Sequence, residues 1–491
     1  MSARQELGRL EASGLIQIAA LQPELEYLFR HALVQEAAYA SLLKQDRRAL
    51  HKAAADAILT LHYDRRREFA PVVAMHLEQA GEIAKAVEYL VLAGEHAMER
   101  FANKEAVAFF QRAIELVGDS QPDFRLRAAI GAAKAGWAFT ATSREVADLE
   151  SAVALGEEGD PRLLIDAYFW IAYMRRQRGE LPESSPELKR SLDRAVEIGG
   201  SLKGSPGSAL PRALMGSFAA FLGNLREGAT QMQSALDDLE EQTDPLSSAM
   251  IADFLAITYA RMGNFKEADE IVAVGHRHAE RGDEIARVDM EIAQSAIDLE
   301  RGDLDKATAQ ALSCSARAED LGAFACVVAS NVMLGSATLA NEDATSAKAP
   351  LERGDELCMV TNMAPFRTLT KGLLASTRAQ LGDLPAGVVG WNEALERARA
   401  MQDRYGEARV LWARGRSYAR QETPEWNAAL GDLEQATKLF ETMEARPSAA
   451  RALLDQSKAL RGLGRASEAA EAEDKALHLG RQLGLKDAPF A

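Results

Sequence analysis

The stretch Ile257 to Gly275, with the sequence ITYARMGNFKEADEIVAVG, decides how the rest of the chain is interpreted. It predicts a helix, a short turn at Gly263 and a second helix. Ala256 is small enough to let two helices approach, while Tyr259 and Phe265 fill the space between them. Glycine suits the turn because it adopts a positive φ without steric cost. The stretch therefore predicts two antiparallel helices in close contact.

Related turns recur along the chain at a nearly constant interval. The hexapeptides GEIAKA, GNLREG, GNFKEA, GDLDKA and GRASEA share one pattern. Steps of 44, 40 and 39 residues separate positions 179, 223, 263 and 302, and later steps are about 40 residues. Repeat-defining turns are predicted at Gly81, Gly179, Gly223, Gly263, Gly302, Gly382 and Gly464. Two prolines, Pro350 and Pro365, predict the limits of one helix near Leu351 to Val360.

These helix pairs resemble the tetratricopeptide repeat (TPR), with longer helices than the usual unit of about 34 residues. The predicted fold class is all-α: a TPR-like α-solenoid, in which helix pairs with a period of about 40 residues form a right-handed superhelix. A small partial winged-helix segment is expected at the N-terminus. The expected divisions are residues 1–46 for that segment, 47–118 for linking helices and first repeats, and 119–491 for the superhelical array.

The N-terminal segment has a pattern of its own. An amphipathic helix ends near Gly14, apolar runs at Leu15 to Ala20 and Leu25 to Phe29 predict strands, and Gln22 to Glu24 predicts a turn. This order is that of the end of a winged helix. The first helix carries as many acidic as basic residues, which favours a packing role over DNA contact.

Composition and charge exclude several classes of protein. The net charge is −16, so no nucleic-acid partner is expected. The acidic surface is better explained by solvated helix faces than by a groove for basic partners. No apolar run approaches the ~18 residues of a membrane span, and no signal segment is evident, so a cytoplasmic, membrane-free location is expected. Three cysteines lack the spacing of a zinc site or a disulfide framework.

Catalytic motifs are missing from the sequence. It contains no GxxxxGK[ST], GxGxxG, GxSxG or HExxH pattern and no EF-hand loop. No catalytic residue, cofactor-binding residue or metal ligand is therefore predicted. We expect a chain that binds other molecules without transforming them.

A second resemblance begins at Tyr27. The segments YLFRHALVQEAAYASLL from Tyr27 and RRALH from Arg47 are similar to part of bacterial signalling ATPases of the STAND type. These include large proteins that join class III adenylate or guanylate cyclase domains to an ATPase and TPRs. The stretch from His76 to Leu116 looks like the first repeats after the ATPase. The later repeats resemble the effector-sensing domain of the maltose-regulon activator type.

The resemblance implies a sensor and scaffold role, and it implies that four residues belong to a junction between ATPase and repeats: Tyr27, Phe29, His31 and Arg48. ATP hydrolysis and cyclase activity do not follow, because this sequence has no phosphate-binding loop. We therefore expect this chain to be a regulatory part that acts on a catalytic chain.

The first helix of each pair is expected to line the concave groove of the superhelix. Counting back from the turns at Gly179 and Gly263 predicts eight groove residues: Asp166, Phe169, Tyr173, Arg176, Met250, Asp253, Ile257 and Arg261. For Phe169 and Tyr173, packing between repeats is the alternative. A protein or peptide in the groove is the first hypothesis. The second is a small-molecule effector stacked on aromatic rings, with Trp170, Trp412 and Tyr418 as candidates. The oligomeric state is left open.

Overall fold

The computed structural model describes residues 3–20, 26–119, 121–139, 142–201, 209–239, 245–282 and 284–487. Twenty-four α-helices make up this part of the chain, of which 81% is helical, and consecutive helices pack as antiparallel pairs. The predicted fold class, a TPR-like α-solenoid, is confirmed. Among the described helices, none combines the length and apolar composition that a bilayer-spanning segment requires.

The N-terminal segment contains the one sheet of the described residues. Its elements are α1 (Ala3–Ala12), β1 (Ile16–Ala20), β2 (Glu26–Phe29), α2 (Ala32–Ser41) and α3 (Lys44–Leu61). The two strands are antiparallel, with Ile16 opposite Phe29. The predicted turn at Gln22 to Glu24 lies outside the described residues. Phe29 is 42% exposed, so this small sheet buries little of its apolar surface.

Five linking helices follow: α4 (Ala70–Ala80), α5 (Ile83–Glu99), α6 (Asn103–Leu116), α7 (Pro122–Gly136) and α8 (Thr142–Leu155). Eight regular pairs come next. They are α9 (Pro161–Gln177) with α10 (Pro186–Ser201), α11 (Ala209–Phe221) with α12 (Leu225–Asp237), α13 (Pro245–Met262) with α14 (Phe265–Ala279), α15 (Glu284–Arg301) with α16 (Leu304–Leu321), α17 (Phe324–Ala340) with α18 (Ala344–Thr361), α19 (Ala364–Gln380) with α20 (Leu384–Ala400), α21 (Arg404–Ala419) with α22 (Trp426–Met443), and α23 (Arg446–Gly462) with α24 (Ala466–Leu483).

The turns inside six of the eight pairs share one backbone geometry. Their glycines, and Gly81 between α4 and α5, have φ values from 75° to 97°. In the turn at Gly263, the Asn264 N–H donates to the Tyr259 carbonyl at 2.9 Å, which closes a six-residue hydrogen-bonded ring. Turns between successive pairs also have a positive φ, at Gly322, Asn362, Gln402 and Glu444, and so does Gly484 at the end of α24.

The prediction that Pro350 limits a helix is wrong. Helix α18 begins at Ala344 and contains Pro350 in its interior. The Asp343 carboxylate caps this helix by accepting from the Ser346 N–H at 3.0 Å. Burial of Ala347 and Leu351 on either side of the proline stabilises the helix despite the hydrogen bond that proline removes.

The array coils back onto itself. A Cβ placed on Gly179 would lie 2.7 Å from the Cβ of Ala364, and one on Gly263 would lie 2.7 Å from the Leu483 side chain. The Lys486 ammonium pairs with Asp303 at 2.8 Å across 183 residues of sequence. The turns of the early pairs therefore pack against the late pairs, and the superhelix surrounds its interior.

Candidate binding interior

Two neighbouring cavities occupy the interior of the superhelix. The first, which we call the inner cavity, has a volume of about 160 Å³ and is lined chiefly by α9, α11, α13, α15, α17, α19 and the start of α21. The second, the outer chamber, has a volume of about 1120 Å³ and is lined by the C-terminal halves of α15 and α17 together with α19, α21 and α23. Leu369 on α19 borders both, so the two cavities adjoin.

Six of the eight predicted groove residues line the inner cavity: Tyr173, Arg176, Met250, Asp253, Ile257 and Arg261. The other two, on the N-terminal part of α9, are not among its lining residues. Asp166 pairs with Lys134 of α7 at 3.4 Å. Phe169 is 4% exposed and packs on the Trp170 and Tyr173 rings. The helical spacing places all four predicted α9 residues near one face, but the N-terminal part of that face packs into the core and against α7.

Two guanidinium groups enter the inner cavity, Arg176 from α9 and Arg261 from α13. Arg176 lies over the Phe254 ring at 4.9 Å and is flanked by two further phenylalanines of α11. Arg261 lies over the Tyr405 ring at 4.1 Å. Among the described residues, no carboxylate comes within 4.0 Å of either group. The Arg176 Nε is also buried without a hydrogen-bond partner. Both cations are therefore positioned by aromatic rings rather than by ion pairs.

Carboxylates share this cavity with the two arginines. Burial raises the pKa of Asp253 well above its ordinary value, and the neighbouring Asp289 raises it further, although Arg261 and Arg176 oppose the shift. Burial also raises the pKa of Asp403 to about 6. The Asp403 carboxylate caps α21 and accepts from the Gly406 N–H at 2.8 Å. Asp403 is thus engaged by the fold, whereas Asp253 makes no ion pair within 4.0 Å among the described residues.

Tyr173 closes one side of the inner cavity. It is 3% exposed, and its hydroxyl accepts from the Gln177 Nε2 at 2.7 Å. Burial raises the pKa of this phenol. The hydroxyl therefore stays neutral at physiological pH and acts as a hydrogen-bonding group rather than as a base.

Trp412 is the central aromatic residue of the outer chamber. Its Nε1 donates to an Asp455 oxygen at 2.9 Å, which fixes the orientation of the indole. Arg409 and Arg416 lie over this ring at 5.2 and 5.3 Å. The three residues stand at positions i, i+3 and i+7 of α21, the spacing of one helix face. This spacing is the signal in the sequence that identifies the chamber, which the groove prediction missed.

Most cations of the outer chamber are already paired. Their partners are Asp455 for Arg416 and Lys458, Asp487 for Arg451, Asp303 for Lys486 and Glu342 for Arg420. Arg409 differs, because no carboxylate within the described part of the chain lies within 4.0 Å of its guanidinium. Within the described ranges, this chamber therefore offers a ligand one cation that has no ion pair, beside an indole.

The other aromatic candidates lie outside both cavities. Trp170 is fully buried in the core, and its Nε1 has no hydrogen-bond partner. Tyr418 is half-buried and meets the Trp391 ring edge-on at 6.2 Å. Trp412 is the one of the three that borders a cavity. In the described ranges, no group of three His, Cys, Asp or Glu side chains is arranged to hold a metal ion.

Comparisons with known proteins identify the fold. No family model matches the chain. A stretch of 97 residues is 33% identical to the "Uncharacterized protein R02095" of Rhizobium meliloti (strain 1021); it covers 19% of this chain and 9% of that protein. Among solved structures, a Rap protein complexed with Competence and Sporulation Factor superposes with a TM-score of 0.57 and 14% identity, over 74% of this chain and 99% of that one. This likeness shows a shared helical-repeat fold.

Two other solved repeat proteins superpose less well. The APC/C hetero-tetramer Cut9–Hcn1 gives a TM-score of 0.48 with 13% identity, over 92% of each chain. A STAND protein with a TPR sensor, PH0952 from Pyrococcus horikoshii, gives 0.38 with 11% identity, over 76% of this chain and 55% of that one.

Proposed function

We propose that this chain is a non-catalytic TPR scaffold and sensor that binds a segment of a partner polypeptide in the outer chamber. The observation that carries the proposal is the size of the chamber. Its volume of about 1120 Å³ exceeds the roughly 300–1,000 Å³ typical of small-molecule sites. The Rap protein of similar fold is itself complexed with Competence and Sporulation Factor, which is in keeping with ligand binding by a repeat protein of this fold.

Arg409 and Trp412 are the proposed anchors for the partner. The unpaired guanidinium of Arg409 takes an acidic side chain or a C-terminal carboxylate of the peptide. The indole of Trp412 offers a rigid apolar surface beside it. Buried arginines and tryptophans contribute most at protein interfaces, and loss of one such anchor costs at least 1 kcal/mol. Serine and asparagine side chains around the chamber, such as Ser336, Asn341 and Ser417, supply hydrogen bonds to a peptide backbone.

A random 12-residue phage-displayed library is the probe for this function. Peptides selected on the wild-type chain are expected to lose about tenfold in affinity or more for Arg409→Ala, as measured by fluorescence anisotropy. Arg353→Ala is the matched control, because Arg353 pairs with Glu319 and Glu356 on second helices away from the chamber. Selected peptides that bind Arg409→Ala as well as the wild type would contradict the proposal.

A small-molecule sensor is the second candidate function. The inner cavity favours it, because about 160 Å³ is too small for a peptide segment and the cavity carries charges of both signs. Stabilisation of the protein by a metabolite, without any effect of Arg409→Ala, would support this candidate.

We also propose that the chain is the regulatory part of an ATPase- or cyclase-type regulator, acting in the cytoplasm in bacterial signalling or transcription. The support is the resemblance of the segment that begins at Tyr27, together with exposed apolar side chains in the same region. Leu33 is 78% exposed and Leu43 is 72% exposed, which is typical of surfaces that another protein covers. An immunoblot of source cells tests whether the catalytic part is a separate chain: a band near 53 kDa supports this, and a much larger band opposes it.

A further inference from the structure

We propose that the inner cavity binds a small organic carboxylate whose apolar body is about the size of one aromatic ring. The carboxylate lies against the guanidinium groups of Arg176 and Arg261, and the apolar body lies against the methionine and isoleucine side chains of the cavity wall. The proposal rests on the second candidate function, small-molecule sensing, and names the class of its ligand. It does not depend on peptide binding in the outer chamber.

The cavity brings together two cations that have no anionic partner. Within the described residues, no carboxylate lies within 4.0 Å of Arg176 or Arg261. Burial lowers the pKa of Arg176, although Tyr173 and Asp253 oppose this shift. The charge of Arg261 lowers this pKa further, so the two guanidinium groups lie near enough to repel each other.

An anion removes this unfavourable arrangement. The Arg176 Nε is buried without a hydrogen-bond partner, and a buried charged donor is unfavourable until an acceptor completes it. A carboxylate accepts hydrogen bonds through two oxygens, in the geometry that a guanidinium group matches. One ligand carboxylate can therefore satisfy donors of Arg176 and offset the repulsion between Arg176 and Arg261.

Asp253 supplies a neutral hydrogen-bond donor to the same cavity. Burial raises the pKa of its carboxyl well above the ordinary value, and the neighbouring Asp289 raises it further, so the group keeps its proton. A protonated carboxyl donates a hydrogen bond and does not repel an anion. The Asp403 carboxylate is used by the fold, because it caps α21. Two cations and a neutral donor suit a ligand with a single negative charge.

The remaining wall of the cavity is apolar and sets the size of the ligand. Its side chains include Met250, Ile257, Ile292, Met333, Met363 and Phe366. Methionine side chains adapt to ligands of different shape. An apolar protein cavity of about 150 Å³ holds a benzene molecule, and the inner cavity has a volume of about 160 Å³. One ring or a branched chain of similar volume fits, whereas a second charged group would be buried there without a partner.

Isothermal titration calorimetry with benzoate, 3-phenylpropanoate and 4-methylpentanoate tests the proposal on the full chain. At least one of these acids is expected to bind with a Kd below about 1 mM and to raise the melting temperature. The primary amide of the bound acid lacks the charge, and acetate lacks the apolar body, so each should bind at least about tenfold more weakly. Absence of binding by all three acids, or equal binding of the amide or of acetate, would overturn the proposal.

Two comparisons test whether Asp253 acts as a neutral donor. L-Phenylalanine differs from 3-phenylpropanoate by an ammonium group, which would be buried without an anionic partner, so it should bind at least about tenfold more weakly. Asp253→Asn keeps the shape of the side chain and an N–H donor, so the affinity for the bound acid should stay within about threefold of the wild type. Equal binding of L-phenylalanine, or a tenfold change in Asp253→Asn, would contradict this role.

Arg261→Met is the variant that removes the proposed contact, and binding of the acid should weaken at least about tenfold. Methionine keeps apolar packing and removes a buried cation, so the fold should be retained. Arg127→Met is the matched control and should bind as the wild type does, because Arg127 also lies over an aromatic ring, that of Phe124, but pairs with Glu95 and lines neither cavity. Binding that Arg261→Met leaves unaltered would refute the proposal.

The outcomes also separate this proposal from the functions on which it builds. Arg409→Ala should leave binding of the acid unchanged, because Arg409 lines the outer chamber alone. Stabilisation by another class of metabolite, without binding of the acids, would refute this proposal while supporting the small-molecule sensor. If Arg261→Met fails to fold, the series of acids and analogues on the wild type still decides.

Discussion

Replacing Gly263 by alanine tests whether the early turns of the array really press on its C-terminal helix. Gly263 has a φ of 81°, where a residue with a Cβ is strained by roughly 1–2 kcal/mol. The added Cβ would also lie 2.7 Å from the Leu483 Cδ2 and 3.4 Å from the Pro447 Cδ. The side-chain and backbone shifts that remove such a clash typically cost a further 1–3 kcal/mol. The total expected loss in free energy of unfolding is about 2–5 kcal/mol.

Gly382→Ala separates the two contributions. Gly382 has a φ of 97°, yet a Cβ there would meet no heavy atom within 4 Å. This variant should carry only the backbone strain of about 1–2 kcal/mol. The difference between the two variants, about 1–3 kcal/mol, measures the packing between the Gly263 turn and α24.

Hydrogen–deuterium exchange locates the effect, because a long repeat array opens locally as well as globally. Gly263→Ala should increase exchange at the C-terminal end of α24, near Leu483, whereas Gly382→Ala should leave that end unchanged. Urea unfolding supplies the free energies. Equal destabilisation by both variants, with unaltered exchange at Leu483, would show that the Gly263 turn does not contact α24.

Three further predictions concern buried polar groups. Tyr405→Phe should lower the free energy of unfolding in urea by about 1–3 kcal/mol, because the Tyr405 hydroxyl donates to the buried Glu300 carboxylate at 2.6 Å. Tyr259→Phe removes a 3.2 Å hydrogen bond between adjacent helices and should cost less than about 1 kcal/mol. Equal costs would contradict the difference in burial between the two hydroxyls. Burial raises the pKa of Asp403 to about 6. Protonation of this carboxyl therefore contributes free energy of folding that is fully present below about pH 4 and is lost as the pH rises through about 6. Asp403→Asn, which retains a capping side chain, should therefore gain about 2–3 kcal/mol over the wild type between pH 4 and pH 7, and a pH-independent difference would refute this. The thiols of Cys314, Cys326 and Cys358 are buried. They should therefore react with a chromogenic disulfide reagent at least ~10³-fold more slowly in the folded chain than in urea. Rapid reaction in the folded chain would contradict this burial.

Six of the eight turns within regular helix pairs follow from sequence because glycine is the one residue that adopts a positive φ without strain. The turns between pairs were not predictable in this way. At Gln402 and Glu444 the same backbone geometry is adopted by residues whose type gives no sign of it. Hydrogen bonds between turn and helix, such as that from the Ala445 N–H to the Phe440 carbonyl at 2.8 Å, compensate for the strain.

The inner cavity was predicted in part because a helix repeats every 3.6 residues, so distance from a turn fixes the face on which a residue lies. Arg176 and Arg261, which that rule selects, both line the inner cavity, and their role in binding stays a prediction. Phe169 packs into the core, the alternative kept open for it, because spacing does not reveal where α9 begins to pack inward. The outer chamber depends on contacts between residues more than 100 positions apart, such as Tyr405 with Glu300, which local patterns cannot show.

The central claim is that the early and late pairs of the solenoid contact one another and thereby surround its interior. Arg226 on α12 pairs with Glu444 before α23, and both residues are exposed enough to carry a label. In a chain with its native cysteines replaced by alanine, spin labels at positions 226 and 444 should lie within about 25 Å by double electron–electron resonance, since the two native side chains touch. An open array, with five helix pairs between the labels at about 10 Å each, would place them about 50 Å apart and would contradict the account.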